Sequence, residues 1–202
     1  VRQDRGQGAD RRCKVTLDLS QCSDRELAVL AGTGRDDIYR ELLARYKAPV
    51  FRLIRHHVGD ADEAMDLTQE SFVAAFAAIA RYDGERSFRI WISRIALNKC
   101  RDWARRRAVR SFFTRALPLE NAHDVAIDDP PPDVEAGDRE ELARVRKAMS
   151  GLPQNLREVL VLRGVEELSQ SETAELLKVS EKTVETRLYR ARAKLRAMLG
   201  EK

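Results

Sequence analysis

Two helices and the loop between them can be read from residues 60–107, whose sequence is DADEAMDLTQESFVAAFAAIARYDGERSFRIWISRIALNKCRDWARRR. Apolar residues recur in this stretch at the 3.6-residue period of an α-helix, and no alternating strand pattern interrupts them. Gly84 lies between the two periodic runs and permits a tight turn. The pattern predicts a helix over residues 62–80, a short loop over 81–86 and a second helix over 87–107.

The first predicted helix has one apolar face and one acidic face. On a helical wheel, Thr68, Phe72 and Ile79 fall with other apolar residues on one side. The opposite side and its margin carry Asp62, Glu63, Asp66, Gln69, Glu70 and Val73. The carboxylates cluster near the helix N-terminus, where the helix dipole favours negative charge. This helix is therefore expected to present an anionic surface.

The second predicted helix has an apolar side and a basic ridge. Phe88, Trp91 and Ile92 fall on the apolar side by their spacing. The basic ridge is formed at spacings of four, three and four by Arg94, Asn98, Arg101 and Arg105. The two helices together offer an anionic surface to one partner and a cationic surface to another. The alternative is that both are ordinary solvated helix faces.

The chain is predicted to be all-α, with two small helical domains joined by a flexible acidic linker that contains proline. Residues 1–22 are expected to be a mobile tail, and residues 23–110 to form the first domain, whose first helix starts at a capping box of Ser23 and Glu26. In that domain Pro49 falls inside a helical pattern and is expected to kink or split the helix. In residues 111–138 carboxylates accumulate around consecutive prolines, a composition typical of a linker. Residues 139–202 are expected to form a four-helix domain.

The second domain ends in the pattern of a helix-turn-helix. Ser169 and Glu172 match a capping box that opens a short helix. After a turn at Lys178, Ser180 is a good N-cap for a longer basic helix. The polar side of that helix carries Lys182, Thr183, Thr186, Arg187, Arg190 and Lys194. Short donors followed by basic side chains are typical of a helix that reads bases and then binds phosphates, although a solvated helix or a coiled-coil arm is the alternative.

No motif of an enzyme is found in the sequence. It has no glycine-rich phosphate loop, no nucleophile with a plausible base and no metal-ligand spacing, so neither a cofactor nor a metal is expected. Cys13, Cys22 and Cys100 are an odd number without close pairing, which indicates reduced thiols in the cytoplasm. The longest apolar run, residues 72–80, is far shorter than a membrane span, so membrane insertion is not expected.

Three segments carry a family resemblance: DADEAMDLTQESF at residues 60–72, RYDGERSFRIWI followed by RIALN at 81–98, and residues 152–199. In this order they resemble the core-binding segment, the promoter-melting segment and the fourth region of the extracytoplasmic-function (group 4) sigma factors of bacterial RNA polymerase. The resemblance implies that the acidic helix docks on the clamp helices of the polymerase's largest subunit. It also implies that the acidic linker threads toward the polymerase interior.

The same resemblance implies two sets of residues that contact promoter DNA. The −10 element would be melted and read by Tyr82, Asp83, Gly84, Glu85, Arg89, Trp91, Arg94, Asn98, Arg101 and Arg105. The −35 element would be read by the polar face of the last helix. Trp91 fits a packing role as well, because its wheel position is on the core side.

The resemblance also bears on regulation, and the residues leave one alternative function open. The resemblance implies control by an anti-sigma factor, a partner that in this family is often membrane-bound. Lys178 departs from the family, in which the turn of the helix-turn-helix often carries glycine. The alternative is a stand-alone helix-turn-helix regulator whose first domain is a sensor or dimeriser. Such a regulator does not need a coherent acidic face, whereas a polymerase subunit does. The acidic face therefore favours the sigma-factor hypothesis.

Overall fold

The computed structural model describes residues 18–116 and 136–200. All regular structure in these residues is helical, which confirms the all-α prediction. The α-helices are α1 (Asp24–Ala31), α2 (Asp36–Val58), α3 (Ala61–Ala77), α4 (Phe88–Ala116), α5 (Ala136–Ser150), α6 (Gln154–Gly164), α7 (Gln170–Leu177) and α8 (Glu181–Leu199). Two short 3-10 helices, Leu19–Gln21 and Ile79–Arg81, precede α1 and follow α3.

The starts of several helices are defined by side chains that accept backbone N–H groups. At α1 the N–H of Glu26 donates to Ser23 Oγ over 3.3 Å, and the N–H of Ser23 donates to the Glu26 carboxylate over 2.7 Å. Ser169 and Glu172 form the same capping box at α7. Asp60 caps α3 by accepting an N–H of the first turn over 2.8 Å. The predicted starts of α1 and α7 are therefore confirmed.

Two helix ends differ from the prediction. α3 stops at Ala77 and is followed by the 3-10 turn Ile79–Arg81, whereas one helix was expected to include most of that turn. The tighter turn carries Ile79 into the core, where its side chain is 7% exposed. α4 continues beyond its predicted end to Ala116, because no glycine or proline interrupts the sequence before Pro118. α4 therefore extends into the stretch predicted to begin the linker.

The helix that contains Pro49 is not divided. α2 runs unbroken from Asp36 to Val58 with this proline inside it, so of the two expected outcomes, a kink or a split, the split does not occur. Buried side chains on both sides of the proline, Leu42 and Leu53 among them, anchor the two halves of α2 in one core. Their burial offsets the backbone hydrogen bond that proline cannot donate.

The segment before α1 is attached to the first domain. The Arg45 guanidinium of α2 donates hydrogen bonds to the carbonyls of Leu19, Ser20 and Cys22 over 2.8–3.0 Å. The prediction of a mobile tail up to residue 22 is therefore wrong for its last residues, since backbone carbonyls there bind a partly buried guanidinium. The first 17 residues lie outside the described part of the chain.

The predicted helix-turn-helix is present as α7 and α8. α7 ends at Lys178, whose backbone is left-handed with φ 55° and ψ 48°. Ser180 then begins α8 by accepting the Thr183 N–H over 3.2 Å. A lysine adopts this left-handed conformation at a modest steric cost, so the departure from glycine does not change the turn.

The two predicted domains each have a core, and the cores touch. α2, α3 and α4 pack around Leu42, Leu53 and Phe88, while Val159, Ala174 and Val184 form a second cluster between α6, α7 and α8. Leu162, Leu168 and Leu176 of the second domain belong to the apolar cluster of the first. Residues 117–135 of the predicted linker lie outside the described residues, so its flexibility stays a prediction.

Candidate functional site

The acidic face of α3 lies in solvent. Its exposed members are Asp62, Asp66, Gln69, Glu70 and Val73. Val73 is 70% exposed and adds one apolar side chain among the polar ones. Glu70 accepts a hydrogen bond from Lys99 Nζ of α4 over 3.0 Å. An exposed row of carboxylates with an apolar side chain is suited to a basic protein surface.

Glu63 differs from the rest of this set. Its side chain is half-buried, and its carboxylate accepts a hydrogen bond from Trp103 Nε1 of α4 over 2.5 Å. The contact connects α3 to α4. Glu63 therefore has a structural role that its spacing did not predict.

The loop between α3 and α4 is held by aromatic contacts. The Tyr82 ring centroid lies 5.4 Å from that of Phe88 and 5.3 Å from that of Trp91. The Tyr82 hydroxyl donates to the Arg86 carbonyl over 2.5 Å. Tyr82 and Trp91 are both half-buried, so each packs against the fold and keeps part of its surface accessible.

The other side of the loop faces α1. Arg25 forms an ion pair with Glu85 over 2.6 Å. The Arg25 side chain lies across Gly84, where a Cβ atom would be 2.9 Å from Arg25 Cγ. Asp83 Oδ1 accepts the Glu85 N–H over 3.1 Å, which stiffens the turn. A cavity of about 300 Å³ lies between α1 and this loop and is lined in part by Val29.

The basic ridge of α4 is covered by the second domain, which differs from the open surface expected from its spacing. Arg101 donates two hydrogen bonds to the Glu158 carboxylate of α6 over 2.9 and 2.8 Å. Glu158 is only 3% exposed. Burial alone would raise the pKa of this carboxyl, but hydrogen bonds from Arg101 and Gln154 lower the pKa overall. The pair is therefore a carboxylate held by a guanidinium.

Arg89 and Arg94 reach the same domain. Arg89 Nη2 donates to the Glu166 carbonyl over 2.6 Å and lies 3.4 Å from the Glu166 carboxylate. Arg94 donates to the carbonyls of Glu175 and Leu176 over 2.7 and 3.3 Å. These carbonyls end α7, where the helix dipole favours a cation. Glu166 is 5% exposed, so its carboxylate is also shielded from water.

The remaining members of the ridge stay at the surface. Asn98 is exposed, and its Oδ1 accepts a hydrogen bond from Arg101 Nη1 over 3.3 Å. Arg105 is exposed and forms an ion pair with Asp102 one turn earlier in α4. The structure thus splits the predicted −10 residues into a covered group and an open group.

Sequence reasoning did not identify Glu158 or Glu166 as partners of the ridge. The signal for Glu158 is an acidic residue inside the apolar run LREVLVL of α6. Glu166 follows the end of that helix and has no comparable signal. The pairing of Glu158 and Glu166 with the ridge depends on the contact between the two domains, which sequence spacing does not predict.

The polar face of α8 is open. Lys182, Thr186, Arg190 and Lys194 are exposed, whereas Thr183 and Arg187 are half-buried. The hydroxyls of its threonines bond within the helix, since Thr183 Oγ1 lies 2.8 Å from Ser180 Oγ and Thr186 Oγ1 donates to the Lys182 carbonyl over 2.8 Å. The four basic side chains of this face form no ion pair within the described chain. This face is therefore accessible to an anionic partner.

His57 lies buried near the end of α2, beside the second domain. Its Nδ1 donates to the Leu53 carbonyl over 2.8 Å, and Arg157 of α6 donates to the His57 carbonyl over 3.0 Å. Its Nε2 is buried and finds no hydrogen-bond partner in the described residues. Burial lowers the pKa of the imidazole to about 4, from an ordinary value of 6.5.

We expect acidification to destabilise the fold through His57. The unfolded chain takes up this proton near pH 6.5, whereas the folded imidazole stays neutral until about pH 4. The free energy of unfolding therefore falls as the pH decreases between those values, by about 2 kcal/mol from about pH 7 to about pH 5. Urea unfolding at both pH values is expected to show His57→Leu losing about 2 kcal/mol less than the wild type. Equal pH dependence of the two proteins would contradict this assignment.

Three further features of the described residues bear on metal binding, thiol chemistry and membrane insertion. Within residues 18–116 and 136–200, no three His, Cys, Asp or Glu side chains are arranged to hold a metal ion. Cys22 is half-buried and Cys100 is buried, both as free thiols, and burial raises the pKa of Cys100 to about 12. Cys13 lies outside the described residues. No helix among those described combines the length and the apolar character needed to cross a membrane.

Comparison with known families identifies both domains. Residues 42–110 match Sigma-70 region 2, and residues 142–195 match Sigma-70, region 4. The RNA polymerase sigma factor CnrH of Cupriavidus metallidurans is 41% identical over 180 residues, which cover 88% of this chain and 94% of the relative. The ECF RNA polymerase sigma factor SigW of Bacillus subtilis is 29% identical over 172 residues, which cover 83% and 92%. The chain is an extracytoplasmic-function sigma factor of the sigma-70 family.

Solved structures of sigma factors are also similar to this one. CnrH in complex with the cytosolic domain of CnrY matches with a TM-score of 0.66 and 34% identity over 88% of this chain and 97% of the other. RpoE of Bartonella quintana, solved with the anti-sigma factor NepR, matches with a TM-score of 0.66 over 80% and 96% at 21% identity, which shows the fold alone. Because the first domain matches Sigma-70 region 2, the alternative of a stand-alone regulator whose first domain is a sensor or dimeriser is rejected.

Proposed function

We propose that this sigma factor binds core RNA polymerase through the acidic face of α3, with the clamp helices of the largest subunit as its partner. The observation that carries the proposal is the exposed row of carboxylates Asp62, Asp66 and Glu70 on α3. Glu63 is the half-buried exception, and Val73 supplies apolar contact area among the exposed carboxylates. A surface of this composition complements basic helices of a partner protein.

The −10 element is proposed to bind at the loop before α4 and along the ridge of that helix. The aromatic contacts of Tyr82 with Phe88 and Trp91 stiffen the loop. The cavity between α1 and the loop offers a place for one unstacked base, since extruded bases are received in pockets beside aromatic side chains. Arg94, Arg101 and Arg105 are proposed to bind phosphates of the melted strand.

The −35 element is proposed to bind α8 in the major groove. The first residues of the open face, Lys182 and Thr183, are then nearest to base edges, while Arg190 and Lys194 meet phosphates. The helix-turn-helix geometry of α7 and α8 supports this placement.

Substitution of Arg190 tests the −35 surface. Arg190→Ala is expected to weaken promoter binding by the holoenzyme about tenfold at about 0.1 M salt and to lower the salt slope by about one, because one phosphate contact is lost. Arg192→Ala is the matched control, since Arg192 is exposed on the same helix but belongs to another face. Filter binding across a salt series measures both effects. An Arg190→Ala slope equal to that of the wild type would remove Arg190 from the DNA contact.

Control by an anti-sigma factor is the last part of the proposal. It is supported by the similarity to CnrH, which was solved in complex with the cytosolic domain of CnrY. The sigma factor is proposed to act in the cytoplasm as a polymerase subunit, without catalytic chemistry, cofactor or metal of its own.

A further inference from the structure

The cavity between α1 and the loop before α4 has one wall, α1, that the sequence did not assign to DNA binding. In the function proposed above, on which this inference rests, the cavity receives an unstacked base of the −10 strand. Arg25 and Val29 line the cavity on the α1 side, and Glu85 lines it on the loop side. Among the described residues that line the cavity, Arg25 is the one cation.

Both walls of the cavity are fixed by one continuous set of side chains. The Asp24 carboxylate of α1 accepts hydrogen bonds from the Tyr46 hydroxyl and, over 3.1 Å, from Arg45 Nη1. The Tyr46 ring centroid lies 5.1 Å from that of Phe88, which in turn lies 5.4 Å from the ring centroid of Tyr82 in the loop. The separation of α1 from the loop is therefore set by the fold, and the cavity is preformed.

The Arg25 side chain reaches from α1 to the loop. Its Nη1 lies 2.6 Å from Glu85 Oε1, and its Cγ lies 2.9 Å from the place that a Cβ atom of residue 84 would take. Because Gly84 has no side chain, the arginine can lie across it. Glu85 is the one partner of this guanidinium within the described residues. A guanidinium has five N–H groups, so most of those of Arg25 are open to a ligand.

The charges of the loop require a cation at this place. Asp83 and Glu85 bring two carboxylates to a site proposed for a polyanion. Asp83 Oδ2 lies 3.5 Å from Arg86 Nε, whereas the counterion of Glu85 is Arg25. Without Arg25, the Glu85 carboxylate would repel the phosphates of the strand. With it, one guanidinium can bind the carboxylate and a phosphate oxygen at the same time.

The fold does not depend on the Arg25–Glu85 ion pair. The two side chains are 60% and 73% exposed, and ion pairs with such exposure add little to stability. Packing holds α1 in place instead, since Leu27 and Ala31 are fully buried in the core. Replacement of Arg25 is therefore expected to leave the protein folded.

We propose that Arg25 of α1 is a DNA-binding residue of the −10 site. Glu85 holds its guanidinium beside the cavity, and the remaining N–H groups of Arg25 bind the phosphate of the nucleotide whose base enters the cavity. The nucleotide is then fixed at two points, its base by the cavity and its backbone by Arg25. The first helix of the domain becomes part of the promoter-binding surface.

The test uses holoenzyme and a fork-junction fragment, in which the −10 segment of one strand is single-stranded, taken from a promoter that the wild type melts. Arg25→Ala is expected to bind the fragment about tenfold more weakly at about 0.1 M salt, with a salt slope lower by about 0.7, because one phosphate contact on a single strand is lost. Arg40→Ala is the matched control, since Arg40 is an exposed arginine of α2 that does not line the cavity. Fluorescence anisotropy across a salt series measures both quantities.

Two measurements distinguish a direct contact from mere screening of Glu85. In the Glu85→Gln background, where no carboxylate needs a counterion, Arg25→Ala is still expected to weaken binding at least about fivefold. A methylphosphonate scan of the single strand is expected to find one phosphate whose neutralisation weakens the wild type about tenfold and leaves Arg25→Ala unchanged, since both changes remove the same contact. Equal affinities of Glu85→Gln and Arg25→Ala/Glu85→Gln, or the lack of such a phosphate, would overturn the proposal.

Folding and the proposed function are separated from this result. Circular dichroism and binding to core polymerase are expected to be the same for Arg25→Ala and the wild type. Should Arg25→Ala be unfolded, Arg25→Gln compared with Arg40→Gln makes the same test. Fork-junction binding that is equal in the wild type and Arg25→Ala would overturn the role of Arg25 alone. A wild-type holoenzyme that melts no promoter fragment would reject the proposed −10 site, and the role of Arg25 with it.

Discussion

Reversal of two charges on α3 is expected to abolish association with core RNA polymerase. In Asp62→Lys/Asp66→Lys two exposed carboxylates become ammonium groups opposite a basic partner, so attraction is replaced by repulsion. Like charges brought together at an interface cost several kcal/mol, which corresponds to at least about a hundredfold loss of affinity. Both residues are exposed, so the change is expected to leave the helical content intact.

The matched control for this prediction is Glu140→Lys/Glu141→Lys. It makes the same change in net charge on exposed residues of α5, away from α3. Size-exclusion chromatography with purified core enzyme, followed by a titration, measures the difference. If the α3 variant binds core as tightly as the α5 variant, the acidic face is not the docking surface.

Removal of two arginines from α4 is expected to have the second large effect. Arg94→Ala/Arg101→Ala is expected to reduce open-complex formation by the holoenzyme about a hundredfold at about 0.1 M salt, because two phosphate contacts are lost. Binding of the variant to core polymerase is expected to stay unchanged, since the acidic face is untouched. Permanganate reactivity of unpaired thymines in a promoter measures the melted fraction.

One control variant and the use of holoenzyme make this result specific. Arg106→Ala/Arg144→Ala removes two exposed guanidinium groups, and Arg106 lies roughly 140° around α4 from Arg101. The effect is measured in the holoenzyme because the substitutions also release Glu158 and loosen the free protein. Wild-type melting by Arg94→Ala/Arg101→Ala would show that the ridge does not contact the −10 strand.

The elements of the fold were predictable because their causes are local. The period of apolar residues placed α3 and α4, and the capping boxes at Ser23 and Ser169 placed the starts of α1 and α7. The predicted end of α4 at residue 107 is too early, because the first residue able to stop the helix is Pro118. Helix ends depend on such single residues, and the period of the side chains does not report them.

The candidate site was predictable only in part, because the spacing of polar residues shows which side chains share a helix face but not what that face contacts. Most of the predicted charged residues on both faces are exposed as their spacing indicates: Asp62, Asp66 and Glu70 of α3, and Lys182, Arg190 and Lys194 of α8. The spacing of Arg94 and Arg101 also places them on one ridge, but their contacts with Glu175 and Glu158 join residues far apart in sequence. Such pairs depend on how two domains meet. The spacing of residues within α3 likewise could not predict the hydrogen bond between Glu63 and Trp103, because that bond depends on how α3 and α4 cross.

Run-off transcription with purified core RNA polymerase tests the initiation role most directly. The templates are promoter fragments from the genome that encodes this chain, with no inhibitor present. We expect discrete transcripts that require the sigma factor and that start downstream of a shared pair of short elements. Absence of any sigma-dependent transcript from all fragments, with a folded chain and active core enzyme, would contradict the account.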